Sequence, residues 1–246
     1  MARVVASIEA RMRSSRLPGK VLADICGEPV LARIVARLRN CERLDDVIVA
    51  TTDSAEDDPI AAWAQAASVP IYRGSERDVL NRVVEAHRGM TSDIIVEVCG
   101  DTPLLDPQVI DMAIDTFFAN DCDVVSNTCR LSFPQGVDAQ VFRFTDLATV
   151  ERSIDDPAVR EHVSLYFYEN PQRFRLYHLM APPCWRGAQY RFQLDYHEDL
   201  EFITAVYRDL LPRHGPLFST GDVLALLARQ PALAAINRHC EEKPVR

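Results

Sequence analysis

Lysine is nearly missing from this chain: Lys20 and Lys243 are the only two among 27 basic residues, the rest being arginine. Surface charge has been filled with Arg, so a lysine kept beside a glycine marks a position that calls for a compact ammonium rather than a planar fork. Glycine is scarce too, 9 in 246 residues, and no tract is repetitive or of low complexity, which excludes a fibrous or disordered chain. A positive excess is absent. The formal charge is -9, and because backbone binding needs a broad basic surface, no nucleic-acid partner is expected. No apolar run approaches a membrane span, and the first residues lack the basic, apolar and small-residue order of a signal peptide. No membrane partner and a cytoplasmic location are therefore expected. Seven cysteines are present without any Cys-x-x-Cys pair, so reduced thiols packing as small apolar groups are expected, not a disulfide or zinc framework.

What is present is an alternation of short apolar runs and helical patterns. Residues 4–8, 46–51, 69–72, 93–98 and 123–126 read as strands. Residues 30–38 (opened by Pro29), 56–67, 76–88 and 108–118 read as helices between them. Strand, helix, strand, helix implies an α/β fold with a mostly parallel twisted sheet covered by helices on both faces. The regularity then breaks. After the turn at residues 133–138 comes a strand of different direction at 139–144, a helix over 156–168, strand-like pieces at 174–180 and 189–194, and helices over 198–210 and 221–228. No linker interrupts the chain, so residues 1–246 are read as one domain with a mixed-direction second lobe.

The chemistry concentrates after the first strand. Residues 8–20 carry Arg11, Arg13, Arg16 and Lys20 with Ser14, Ser15 and a Pro18-Gly19 turn. Guanidinium forks, an ammonium and backbone amides at a strand's carboxyl end suit a polyphosphate, although basic loops are more often merely solvated. Ligands collect outside the carboxyl ends of parallel strands, and the polar segments after residues 51, 72 and 98 lie at the same edge. Two acids could hold a hard cation there, Asp101 after the fourth strand and Asp195 from a distant segment. Asp101 also suits a turn, Asp106 before Pro107 an N-cap, and Asp195 with Asp199 a helix start. Gly100 would let backbone and metal approach closely. The histidines show no metal-ligand spacing, and Tyr166, Phe167 and Tyr168 suit a core or an interface.

Several motifs run in a fixed order. They are Ala10-Arg11-Met12-x-Ser14-Ser15-Arg16-Leu17-Pro18-Gly19-Lys20, then Gly27-x-Pro29, Val49-Ala50-Thr51-Thr52 and Arg73-Gly74-Ser75-x-x-Asp78-Val79-Leu80. Gly100-Asp101-x-Pro103-Leu104-x-Asp106-Pro107, Arg160-Glu161-His162-Val163 and Leu194-Asp195-x-x-x-Asp199-Leu200 follow. Together they resemble the cytidylyltransferases, within these the branch named for spore coat polysaccharide biosynthesis protein F, related to the acylneuraminate and 3-deoxy-manno-octulosonate enzymes. The resemblance implies a nucleotide-diphospho-sugar transferase-like fold, with a nucleotide-binding half (1–128) and an acceptor-binding and dimerisation lobe (129–246). It implies Mg2+-dependent transfer from CTP to a sugar acid or similar anionic acceptor, releasing pyrophosphate, for surface polysaccharide or glycoconjugate synthesis by a homodimer.

Carried over by position, Arg11 and Lys20 are the catalytic pair. Ala10, Ser14, Ser15, Arg16, Thr52, Asp53, Gly74, Ser75, Asp78 and Asp101 complete the nucleotide site, and Asp101 and Asp195 hold Mg2+. Gln135, Asp138, Glu161 and His162 would meet the acceptor, although Asp138 also suits a plain turn and His162 a subunit contact or a structural role. Glu9 and Arg13 depart from the branch pattern, where glutamine and glycine are common, and are expected to pair with each other. Two alternatives stay open: a glycosyltransferase of related architecture using a ready-made nucleotide sugar, with Asp121-x-Asp123 as its metal motif, and a non-catalytic nucleotide-binding relative.

Overall fold

The computed structural model describes residues 2–241; Lys243 lies outside them. The run Val4–Glu9 forms β1, buried along nearly its whole length, and the chain is built around it. A small hairpin of β2 (Asp24–Ile25) and β3 (Glu28–Pro29) precedes α1 (Val30–Leu38). Next come β4 (Asp46–Thr52), α2 (Asp58–Ala66), β5 (Ile71–Gly74), α3 (Val79–Gly89), β6 (Ile94–Cys99) and α4 (Pro107–Ala119). The second half supplies β7 (Val124–Ser126), β8 (Gln140–Arg143), α5 (Phe144–Ser153), α6 (Pro157–Glu161), α7 (Leu165–Glu169), β9 (Leu176–His178), α8 (His197–His214) and α9 (Thr220–Arg229).

Seven strands form one sheet in the order β5-β4-β1-β6-β8-β7-β9. β8 pairs antiparallel with both β6 and β7, and every other pairing is parallel. The single reversed strand matters for the site, because it delivers its first residues to the edge where its neighbours end. Alternation along β1 separates two cores. Val4, Ala6 and Ile8 join the apolar residues of α1, α2, α4, α8 and α9 on one face. Val5 joins α3, α5, α6 and α7 on the other.

The second half departs from expectation in three places. Residues 144–153 form α5, where the sequence pattern suggested no helix. The helix expected over 156–168 splits into α6 and α7, because His162 takes an extended backbone (φ -117, ψ 99) after α6. Residues 189–194 do not form a strand; they lie against the turn after β7, with one bridge between Gln135 and Arg191. The aromatic segment expected to offer an interface is partly spent internally, since Phe167 is fully buried with its ring 5.0 Å from Phe142 and 4.8 Å from Phe174. No helix of the described residues is long and apolar enough to cross a membrane.

Arg37 ties the first core to the loop after β6. It is 1% exposed, donates to the Tyr207 hydroxyl and to the carbonyls of Leu105 and Phe218, and stacks 4.4 Å from the Phe218 ring. Truncating it strands three buried acceptors. Arg37→Ala is expected to lower unfolding free energy by about 3 kcal/mol or more in denaturant titration; a loss under about 1 kcal/mol would contradict this linkage.

Candidate active site

Parallel pairing brings the ends of β1, β4, β5 and β6 to one sheet edge, and the reversed β8 brings its beginning there. At that edge lies a cleft of about 660 Å3. One wall is the loop after β1, folded back on itself: Gly19, at φ 75, donates its N–H to the Met12 carbonyl at 2.8 Å. A residue with a Cβ is strained at that φ, so glycine is what turns Lys20 inward. The loop is anchored from below as well, because Asp57 accepts from the Met12 N–H at 2.6 Å and from the Thr52 hydroxyl.

Lys20 closes the site. Its ammonium donates to Asp101 Oδ2 at 2.7 Å, to Asp195 Oδ1 at 2.8 Å and to the Leu194 carbonyl at 2.9 Å. Asp195, 1% exposed, also receives Arg16 at 2.6 Å and Arg191 at 2.7 Å. Burial opposes both charges, yet the two carboxylates raise the Lys20 pKa above its ordinary range. Lys20, Arg16 and Arg191 in turn hold Asp195 below its own. Arg191 is fixed by Asp199, whose carboxylate also accepts the backbone N–H groups of Asp195 and Tyr196 at the start of α8. The helix-start reading therefore suits Asp199, while Asp195 faces the cleft.

Of the residues expected to meet a nucleotide, Ala10, Arg11, Ser14, Ser15, Arg16, Lys20 and Asp101 line this cleft, as does Asp195. Thr52, Asp53, Gly74, Ser75 and Asp78 do not. The Asp53 N–H donates to the Gly74 carbonyl. Ser75 presents its carbonyl to Arg82 at 2.7 Å. Asp78 caps α3 and pairs with Arg160 at 3.2 Å. Ser75 and Asp78 hold a cation that the sequence reading missed: Arg82, 2% exposed, lines the cleft with Nε unpartnered. Its signal was an arginine on the apolar face of α3, beside Val79 and Val83.

Gly100 serves a different close approach from the one expected. Its N–H donates to the Glu9 carbonyl at 2.9 Å, and a Cβ there would lie 2.7 Å from the same oxygen. The bare Cα locks the end of β6 against the end of β1 and so fixes Asp101. Glu9 and Arg13 do not pair: Arg13 reaches outward to Glu56 at 2.8 Å and Glu76 at 3.3 Å, whereas Glu9 turns inward among acids. Asp106 is an N-cap, accepting from Gln108 at 3.0 Å.

Gln135, Asp138, Glu161 and His162 line a second cavity of about 530 Å3, which adjoins the first through Glu9, Cys99, Glu161, His162 and Gln193. Arg11 donates to Glu161 at 2.9 Å, placing a cation at the junction. Burial keeps His162 below its ordinary pKa. Glu97, Gln140 and Tyr168 also line this cavity and were missed, though a lone glutamate within the apolar run of β6 was visible in the sequence. The Asp-x-Asp pair lies at the opposite edge, before β7. Asp121 and Asp123 both pair with Arg175, whose hydrogen bonds bring Asp123 down to about 2, so they stand outside the cleft. Among the histidines, His239 meets Glu198 and Cys240 with ligand atoms within 4.8 Å of one another, and none of the three lines either cavity.

A divalent metal fits this donor set. A cationic ammonium already sits between the two carboxylates, and Asp101 Oδ1 is buried without a hydrogen-bond partner. Two hard oxygen donors, one of them unsatisfied, suit Mg2+.

Comparison with known proteins agrees with this geometry. A family model described as cytidylyltransferase matches residues 5–220. The chain is 34% identical over 233 residues to the spore coat polysaccharide biosynthesis protein SpsF of Bacillus subtilis, covering 92% of this chain and 95% of that protein. It is 32% identical over 184 residues to a 3-deoxy-manno-octulosonate cytidylyltransferase of Chlorobium chlorochromatii, covering 73% and 68%. The solved structure of a cytidylyltransferase from Leptospira borgpetersenii superposes with a TM-score of 0.89 at 28% identity, over 95% of this chain and 97% of that one. The loop after β1, the acids of Asp101 and Asp195 and the matched family model thus converge, and the chain belongs to the cytidylyltransferases, nucleotidyltransferases that use CTP.

Proposed function

We propose that this protein transfers the cytidylyl group of CTP to a small hydroxylated sugar acid, releasing pyrophosphate, in surface polysaccharide or glycoconjugate synthesis. The observation that carries the reading is the Lys20 ammonium held between Asp101 and Asp195 at the base of an arginine-lined cleft. The triphosphate lies along the loop after β1, its charge met by Arg11, Arg16, Lys20 and Arg82. The acceptor fills the adjoining cavity, with its carboxylate toward Arg11. Its hydroxyl attacks the α-phosphorus at the junction, the bond from that phosphorus to the β-bridging oxygen breaks, and the hydroxyl proton passes to solvent. Positioning and charge neutralisation supply most of the rate in such a transfer. Asp101 and Asp195 would hold Mg2+, which when bound screens the phosphate oxygens and the departing charge. Lys20 then turns from the acids to the pyrophosphate.

With Mg2+ and 3-deoxy-manno-octulosonate, pyrophosphate release is expected from CTP and not from ATP, GTP or UTP; release from another nucleotide would reassign the base. Lys20→Met is expected to lower kcat by about 10^2 to 10^3. In the nucleotide-free protein the same change is expected to tighten Mg2+ binding, read by calorimetry, because the competing ammonium is gone. Unchanged or weaker Mg2+ binding would show that Lys20 and the metal do not share those carboxylates.

A further inference from the structure

After α9 the chain returns to the start of α8, beyond the residues that the family model matches. Asn237, 3% exposed, donates to the Arg191 carbonyl and to Asp199 Oδ1, both at 2.9 Å. The Cys240 N–H closes a turn onto the Asn237 carbonyl at 3.0 Å, and the Tyr196 hydroxyl donates to the Glu241 carbonyl at 3.2 Å. His239 and Cys240 lie between these two anchors, so their backbone is set before any ligand arrives.

The two side chains meet Glu198 in the first turn of α8, where an imidazole nitrogen, a thiol sulfur and a carboxylate oxygen all lie within 4.8 Å of one another. His239 Nε2 stands 3.5 Å from Glu198 Oε1. That separation is long for a charge-assisted hydrogen bond. It is the spacing of neighbouring ligands about a tetrahedral zinc ion, roughly 3.3 to 3.6 Å for oxygen and nitrogen bonds of about 2.0 to 2.2 Å. Nitrogen, sulfur and oxygen together also suit zinc, whereas Mg2+ and Ca2+ take oxygen alone. The His239 and Glu198 side chains are 67% and 42% exposed, which gives an ion open access from solvent. None of the three residues lines the nucleotide cleft or its adjoining cavity, so the site is separate from Asp101 and Asp195.

We propose that Glu198, His239 and Cys240 form a site for a divalent ion of the zinc class, with water as fourth ligand, which fastens residues 237–241 to the start of α8. The thiolate is the ligand, so binding releases the Cys240 thiol proton to solvent. The bound ion steadies the segment that carries Asn237 and, through Asp199 and Arg191, the carboxylate of Asp195. No group of the nucleotide cleft takes part in the coordination, and the cytidylyl-transfer reading stands without it.

Cobalt substitution in the full, nucleotide-free chain tests this. Co2+ reports a tetrahedral thiolate site through intense visible bands and a near-ultraviolet thiolate-to-cobalt charge-transfer band. One equivalent per chain is expected to saturate both, one equivalent of Zn2+ to bleach them, and excess Mg2+ to leave them unchanged. Cys240→Ser is expected to abolish the charge-transfer band, and Cys184→Ser, at another exposed thiol, to keep it. His239→Ala and Glu198→Ala are each expected to weaken Zn2+ binding at least about tenfold in calorimetry. Zinc at about 100 times its Kd is expected to raise the Tm of the wild-type protein by about 5 °C, and to leave that of Cys240→Ser where it was. No thiolate band, a band that survives Cys240→Ser, Zn2+ affinity unchanged in both His239→Ala and Glu198→Ala, or a Tm that zinc does not raise would overturn the proposal.

Discussion

The structure depends on one ion cluster. Lys20 contacts Asp101, Asp195 and the Leu194 carbonyl, so a single ammonium joins the loop after β1, the end of β6 and the segment before α8. A cation taken from water needs compensation of this quality, and Asp195 supplies it because Lys20 itself, helped by Arg16 and Arg191, holds its carboxyl below the usual range against burial. In the proposed reaction, charges so balanced would exchange partners as a polyphosphate and its metal arrive. Lysine suits this exchange better than arginine, being a compact point charge on a flexible stem.

The sheet turns this cluster into a reaction site. Gly100 lets β6 close against the last residue of β1, which sets Asp101 opposite Lys20. The reversed β8 brings Asp138 and Gln140 to the same edge. The result is two adjoining cavities of contrasting charge, one lined by Arg11, Arg13, Arg16, Lys20 and Arg82, the other without a lysine or arginine. In the proposed reaction this contrast would sort a phosphate chain from a hydroxylated partner before either is positioned.

The first half was legible because each local signal agreed with the fold. The apolar run at 46–51 could only be a buried strand, and Pro29 ahead of a 3.6-residue pattern marked where α1 begins. The cleft-lining cations were legible for another reason: Arg11, Arg16 and Lys20 share one loop, so proximity in sequence implied proximity in space. The second half lacked both advantages. α5 and the break at His162 answer to long-range demands, with Val150 and Val159 seated in the core and Glu161 and His162 on the cavities. Residues 189–194 carry strand-like side chains but lie beyond the sheet's edge, bonded to Gln135 and Asp101. Of the polar residues that β1, β6, β8 and β7 align, only Glu97 stood out, within the apolar run of β6; that Ser7, Gln140 and Ser126 lie next to it shows only in cross-strand register. Arg13 was misassigned because its partners, Glu56 and Glu76, come from segments that only the tertiary fold brings near.

In the proposed reaction Lys20 occupies Asp101 and Asp195 until the nucleotide brings its own cation. The most direct measurement is a crystal structure of the complex with CTP and Mg2+. It should show Mg2+ held by Asp101 and Asp195, with the Lys20 ammonium moved from both acids onto the triphosphate. A nucleotide bound outside this cleft, or Lys20 still clasped between the two aspartates with CTP and metal in place, would contradict it.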